Sequence, residues 1–263
     1  LQYCGITQDL VPYLADRNPR KPRIVLPKGS VDTHVHVFDK QRYKMSPDRG
    51  YNPPDSTLDD LKLLHRTLGV DRVVFTQPST YGTDNSAILD GMSALNAETP
   101  NRARCVVAIT MSITDDELAA LDKKGARGVR LNTDNKGGMP IGFDQIGELE
   151  ARIRPFGWHI ELLVNVDEAP RFGQLLADFP VPVVLGHLGY PKSGARNWVQ
   201  HPAFAELLRL IDGGRCWIKL TGFYRISRQP PGYANVAPMM QALAAGAPDR
   251  LIWGSDDPHL SFA

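Results

Sequence analysis

Residues 30–39 read SVDTHVHVFD, two imidazoles set two apart on a run of β-formers. Period-two alternation puts Asp32, His34 and His36 on one face of a strand and Val31, Thr33 and Val35 on the other. The β-branched face suits a covering layer of helices, which turns the histidine face inward. The pair can then be metal ligands, polar catalytic groups or satisfied core histidines. Which of these applies depends on what the rest of the chain brings to the same place.

Working outward, seven more β-rich runs follow at about 71–78, 103–110, 126–132, 159–165, 181–188, 215–221 and 250–255, after a first at 31–37. Amphipathic stretches with apolar residues at i, i+3 and i+4 lie between them. Examples are STLDDLKLLHRTLG (56–69), DEAPRFGQLLADF (167–179) and HPAFAELLRLIDGG (201–214). Ser56 and Asp84 stand as helix starts, and Gly69 and Gly213 fall just past helix ends. Eight strands with seven intervening helices predict an α/β fold, a (β/α)8 TIM barrel over residues 30–263. An open doubly wound sheet is the competitor. It would carry a glycine-rich phosphate turn after strand 1, where this chain has FDKQRYKMSPDRGYNPPDS (38–56).

The ends differ from the middle. Residues 1–29 are rich in proline and charge and predict an extended lead-in along the outside. The chain stops at Ala263, just past the eighth strand, so the final helix of the barrel is expected to be missing. It opens at Leu1 and not Met, consistent with processing.

The 263 residues carry 30 basic and 29 acidic side chains, a net charge of +1. Without a basic stripe, nucleic acid and anionic membrane surfaces are poor partners. No apolar run approaches the ~18 residues of a membrane span. Cys4, Cys105 and Cys216 lie far apart, two of them in apolar runs, which predicts reduced thiols and a cytoplasmic setting. The expected partner is a small molecule; the oligomeric state is left open.

In a barrel the functional groups come from the C-terminal ends of strands and the loops after them. His34 and His36 point inward near the top. LGHLGYP (185–191) brings His187 to the same rim, and WGSDDPH (253–259) offers Asp256 on the last strand, which closure sets beside the first. Asp256 could instead cap a following helix. Asp257 and His259 read as loop residues.

HxH on strand 1, histidine on strand 6 and aspartate on strand 8 resemble the amidohydrolase superfamily. VDTHVHVFD, QPSTYGTDN, GARGVRLN, GHLGYP and WGSDDPH, in order, are similar to the branch of 2-pyrone-4,6-dicarboxylate lactonase and related sugar lactonases and lactone isomerases. The likeness runs over about residues 28–259. It implies a hydrolase that opens a carboxylated or polyhydroxylated lactone, such as an aldonolactone, in the catabolism of carbohydrates or aromatic acids. Asp256 is then the general base, provided burial lifts its pKa, and His34, His36 and His187 point N–H groups at the carbonyl oxygen.

A typical metal site of that superfamily adds a lysine or glutamate on strand 4 and a histidine on strand 5. Here strand 4 carries Arg130 and Asn132, and His159 stands at the start of strand 5, away from the mouth; Asn165 is at its end. The expectation is that no metal is required. If one is bound, it is a single Zn2+ held by His34, His36, His187 and Asp256. Arg130 and Arg225 are expected to grip a substrate carboxylate. Tyr51, Ser79 and Tyr81 are expected to donate hydroxyl hydrogen bonds, Ser79 on the strength of the resemblance. Arg127 has the opposite parity to Arg130, and substrate contact and a salt bridge behind the sheet stand level for it. Thr83, Asp84 and Asn85 read as a helix cap. Two departures, Tyr190 with Lys192 after the strand-6 histidine and no tyrosine near the end of strand 5, leave the particular lactone open. Rival readings are a lactone isomerase, a metal-dependent decarboxylase of the related barrel group, and a non-catalytic barrel that binds a small acid.

Overall fold

The computed structural model describes residues 17–132, 137–166, 176, 179–191, 198–230 and 232–260. Eight parallel strands form one sheet in sequence order. They are β1 (Val31–Val35), β2 (Arg72–Thr76), β3 (Ala103–Val107), β4 (Ala126–Asn132), β5 (His159–Leu163), β6 (Val183–Leu185), β7 (Cys216–Leu220) and β8 (Leu251–Trp253). Each falls within a run expected from the pattern. The helices are α1 (Leu58–Leu68), α2 (Ser86–Glu98), α3 (Asp115–Lys124), α4 (Ile146–Ile153), α5 (Pro202–Asp212), the single turn α6 (Phe223–Ile226) and α7 (Ala237–Gly246). Of the helix expected over 167–179 only Leu176, which is helical, and Phe179 are among the described residues; Cys4, Lys192 and residues 1–16 of the lead-in lie outside them. Residues 17–29 contain neither helix nor strand, and Ile24 and Val25 are exposed.

The sheet closes through the segment beyond β8. Asp256 N–H donates to the His34 carbonyl at 2.9 Å, His36 N–H donates to the Asp257 carbonyl at 2.7 Å, and Thr33 Oγ1 donates to the Trp253 carbonyl at 2.7 Å. Closure brings β1 very near this segment: a Cβ on Gly254 would stand 2.8 Å from the His34 Cβ. Only a residue without a side chain fits there. Among the described residues no helix follows β8, and Asp256 caps none.

Alternate strand positions separate two environments. Val35, Phe75, Val107, Val129, Leu131, Ile160, Leu162, Leu185 and Ile218 join one buried cluster with Leu61, Met92, Leu118, Leu149 and Leu207 of the helices. The intervening positions carry His34, Thr76, Arg130, Glu161 and Lys219, so the barrel interior is polar.

One helix start differs from expectation by one residue. Thr57, not Ser56, caps α1, in a reciprocal capping box with Asp60, because Ser56 is paired backbone to backbone with Phe38. Gly69 ends that helix in the left-handed region as expected. Gly213 stands just past the end of α5 as expected, and Gly214 after it takes the positive φ. Asn85 occupies the cap position of α2, and the Asp84 carboxylate accepts from the Ser86 N–H at 3.0 Å. Cys105 and Cys216 are buried free thiols. Among the described residues no helix is long and apolar enough to cross a membrane.

Candidate active site

His34, His36, His187 and Asp256 meet at the C-terminal mouth. His34 Nε2 lies 3.5 Å and His36 Nε2 3.9 Å from Asp256 Oδ1, and His187 Nδ1 lies 3.7 Å from Oδ2. The His34 ring centroid is 4.9 Å from that of His36 and 5.0 Å from that of His187. His34, His187 and Asp256 are fully buried.

The two oxygens of Asp256 have different surroundings. Oδ2 accepts from the Tyr224 hydroxyl at 2.8 Å and from Arg225 Nε at 3.2 Å. Oδ1 is buried without a hydrogen-bond partner among the described residues, as are His34 Nε2 and His187 Nε2. Such buried orphans are costly and rare away from functional sites.

The backbone here is also held in unusual conformations. His187, Leu188, Gly189 and Tyr190 all have positive φ, as does Asp256 at 60°. Left-handed backbone costs a residue with a side chain about 1–2 kcal/mol. The αL turn after β6 presents His187 to the pocket, and Gly222 leaves room for it: a Cβ there would stand 2.6 Å from His187 Nδ1.

Burial drives all three imidazoles toward the neutral form. It takes His36 down to about 4, helped by Arg130, and His187 to about 3; His34 is lowered by burial and then by Lys219. Burial alone would raise the Asp256 carboxyl, but positive charge around it, carried by Arg225 once the imidazoles are neutral, outweighs burial and holds the group below its ordinary value. The expected rise in the pKa of Asp256 is therefore reversed. The base is an ionised carboxylate because an arginine cation and a tyrosine hydroxyl sit on it.

The hydrogen-bond partners assign the rings. His36 Nδ1 lies 2.7 Å from the Thr76 carbonyl, which can only accept, so neutral His36 carries its hydrogen on Nδ1 and a lone pair on Nε2. This corrects the expectation that His36 directs an N–H into the pocket. Thr221 Oγ1 accepts from the His187 backbone N–H at 3.2 Å and lies 2.8 Å from His187 Nδ1. Donating its own hydrogen to Nδ1 leaves His187 with Nε2–H.

Around the four lie the other expected residues. Arg130 is buried, with Nη1 donating to the Gln77 carbonyl at 2.7 Å and Nε without a partner among the described residues. Tyr51, on the loop after β1, hydrogen-bonds Ser79 and feels Arg225, Arg130 and Asp256. Two residues are not brought in. Arg127 points outward and is paired with Asp122 at 3.0 Å, half exposed, as its parity allows. Tyr81 packs with Phe38 and Tyr43, its hydroxyl accepting from the Asp39 N–H at 3.0 Å. Asp32 shares the face of His34, yet its carboxylate serves His65 of α1 and the Ser255 N–H. His159 sits at the start of β5, its ring over Gly128, and burial lowers it to about 4.

Sequence reasoning missed Tyr224, Thr221, Glu161 and Lys219. A glutamate in HIELLVN and a lysine in RCWIKLT, opposite charges inside otherwise apolar strands, were the available signal for the last two. Tyr224 and Thr221 carried none, since a hydroxyl residue at a strand end or in the turn after it is ordinary in sequence.

The amidohydrolase family model matches residues 31–263. The chain belongs to this family. The amidohydrolase is 35% identical to 4-sulfomuconolactone hydrolase of Hydrogenophaga intermedia, over 91% of this chain and 78% of the relative. It is 31% identical to 2-pyrone-4,6-dicarboxylate hydrolase of Comamonas testosteroni, over 92% and 81%. It is also 31% identical to D-galactarolactone isomerase of Agrobacterium fabrum, over 91% and 80%.

Amidohydrolases imply a metal, and the donors fit one ion. His34, His36 and Asp256 offer ligand atoms within 4.8 Å of one another, two of them without partners among the described residues. Among the described residues a second ion has no such set: β4 presents Arg130, and the carboxylate of Glu161 is paired with Lys219.

Proposed function

We propose that this amidohydrolase opens the ring of an anionic lactone by adding water, and that it requires no metal. The observation that carries this is the ionised, buried Asp256, whose unpartnered Oδ1 faces imidazoles of opposite hydrogen-bonding character. His36 Nε2 and Asp256 Oδ1 are two acceptors 3.9 Å apart, a spacing that a water molecule bridges by donating to both. Asp256 takes a proton as that water attacks the lactone carbonyl, and returns it to the ring oxygen as the acyl C–O bond breaks. His187, with hydrogen on Nε2, donates to the oxygen on which negative charge grows. A donor of this kind is worth about 3–4 kcal/mol in comparable sites. His34 is the second donor.

Charge supports the metal-free reading. Arg130 and Arg225 reach the site against the single carboxylate of Asp256, so the pocket suits an anion better than a further dication. Where an ion does bind, His34, His36 and Asp256 would hold it, with His187 nearby, and it would polarise the carbonyl or the water. Arg130 and Arg225 take the substrate's carboxylate or sulfonate, and Tyr51 and Ser79 its hydroxyl or ring oxygens. Relatives named for 4-sulfomuconolactone and 2-pyrone-4,6-dicarboxylate support an anionic lactone as substrate.

The test is turnover of pyrone, muconolactone and sugar-lactone panels by pure protein, before and after chelation, with products weighed by mass spectrometry. A gain of one water is expected and should survive chelation; no turnover of any lactone removes the proposal. The relative named as a lactone isomerase supports a second reading, in which Asp256 shuttles a proton and no water is consumed. A product of unchanged mass would favour it.

A further inference from the structure

The barrel interior holds one charged pair that the proposed chemistry does not use. His34 of β1, Glu161 of β5 and Lys219 of β7 come from odd-numbered strands, whose inward side chains share a layer in a barrel of this kind. All three are buried. Lys219 Nζ lies 2.7 Å from the Thr33 carbonyl, 2.5 Å from Glu161 Oε2 and 3.2 Å from His34 Nδ1. An ammonium has three hydrogens, and these are three acceptors.

We infer that Lys219 and Glu161 are positioning residues that hold His34 in the tautomer with hydrogen on Nε2, aimed into the pocket. If Lys219 spends its third hydrogen on Nδ1, that nitrogen must carry the lone pair. A neutral ring then has its hydrogen on Nε2, 3.5 Å from Asp256 Oδ1. The other tautomer would send Nδ1–H to Glu161 Oε1, 3.2 Å away. It would leave one lysine hydrogen without an acceptor and set the bare Nε2 against the carboxylate oxygen of Asp256, lone pair to lone pair. The first arrangement leaves Glu161 Oε1 unmet but turns the Nε2 hydrogen toward Asp256 Oδ1 and gives all three lysine hydrogens an acceptor, so it is the better satisfied of the two. Glu161 neutralises Lys219 and fixes its head, and neither residue touches substrate.

This deepens the reading of His34 as a donor and rests on it, but its test can be read apart from turnover. In the full-length protein labelled with 15N-histidine and free of substrate, His34 is assigned by the resonances lost in His34→Asn. Its Nε2 should show the shift of a protonated nitrogen and its Nδ1 that of a bare one. In Lys219→Met the hydrogen should move to Nδ1, and kcat on the lactone substrate should fall at least about tenfold while KM changes little. A wild-type His34 protonated at Nδ1, whether its Nε2 is bare or holds a metal, overturns the inference. So does a Lys219→Met variant that keeps both tautomer and kcat. If that variant does not fold, the wild-type spectrum decides. The expected tautomer in a protein that turns over no lactone would sink the lactonase reading and leave this one standing.

Discussion

Asp32 and Asp256 are both fully buried, both beside histidine, and both near the seam where the first and last strands meet. Asp32 Oδ1 accepts from the backbone N–H groups of His34 and Ser255 at 3.2 and 2.9 Å, and Oδ2 lies 3.4 Å from His65 Nε2. Every oxygen there has a partner. Asp256 has donors crowded on one oxygen and none on the other, with a strained backbone beneath it. Residue type and burial are the same, so neither separates a carboxylate that holds the seam from one poised to react. What separates them is the incomplete set of partners.

The sharpest way to break this contrast is to neutralise each aspartate. Asp256→Asn is expected to lower kcat by about 10²–10⁴-fold, the usual worth of a positioned general base. Asp32→Asn is expected to do the reverse: about 1–3 kcal/mol of stability lost in denaturant melts, with kcat little changed. Loss of turnover at Asp32 without loss of stability would end the comparison.

Acid offers a second probe, through the imidazoles gathered around Asp256. His36 at about 4 and His187 at about 3 lie below their unfolded value of 6.5. Between those limits the unfolded chain binds protons that the folded chain refuses, so stability rises with pH. It is fully present above about 6.5 and drains away as the pH falls toward 4. His36 alone contributes up to about 3 kcal/mol of that change, at ~1.36 kcal/mol per pH unit. Melting temperature followed from pH 7 to 4 should show a slope that His36→Asn reduces; an unchanged slope would contradict the neutral assignment.

The arginines of β4 give the smallest and most local test. Arg130 faces the pocket and Arg127 the solvent, three residues apart. Arg130→Met is expected to raise KM for an anionic lactone by the ~1.5–3 kcal/mol of a charge-assisted contact. Arg127→Ala should move neither KM nor stability by more than about 0.5 kcal/mol, because an exposed pair is screened by solvent.

These contrasts also mark how far the chain could be read directly. Strand positions, the inward parity of His34 and Arg130, and the arrival of His187 and Asp256 at one rim all follow from alternation and strand order. Both are local rules carried by consecutive residues. The same alternation put Asp32 beside the histidines without saying that its carboxylate serves α1. It left Arg127 evenly balanced, and it could not see that Tyr81 turns to Phe38 and Tyr43.

The sequence alone determined the barrel, its order and the residues of the cluster, because period two and period 3.6 are written in neighbouring side chains. Only the tertiary structure decided the protonation of Asp256, the tautomer of His36 and the presence of Tyr224, Thr221, Glu161 and Lys219. Those depend on distances of about 3 Å between groups up to 186 positions apart in the chain, and the strength of a hydrogen bond or a buried charge is set by such distances and by the exclusion of water.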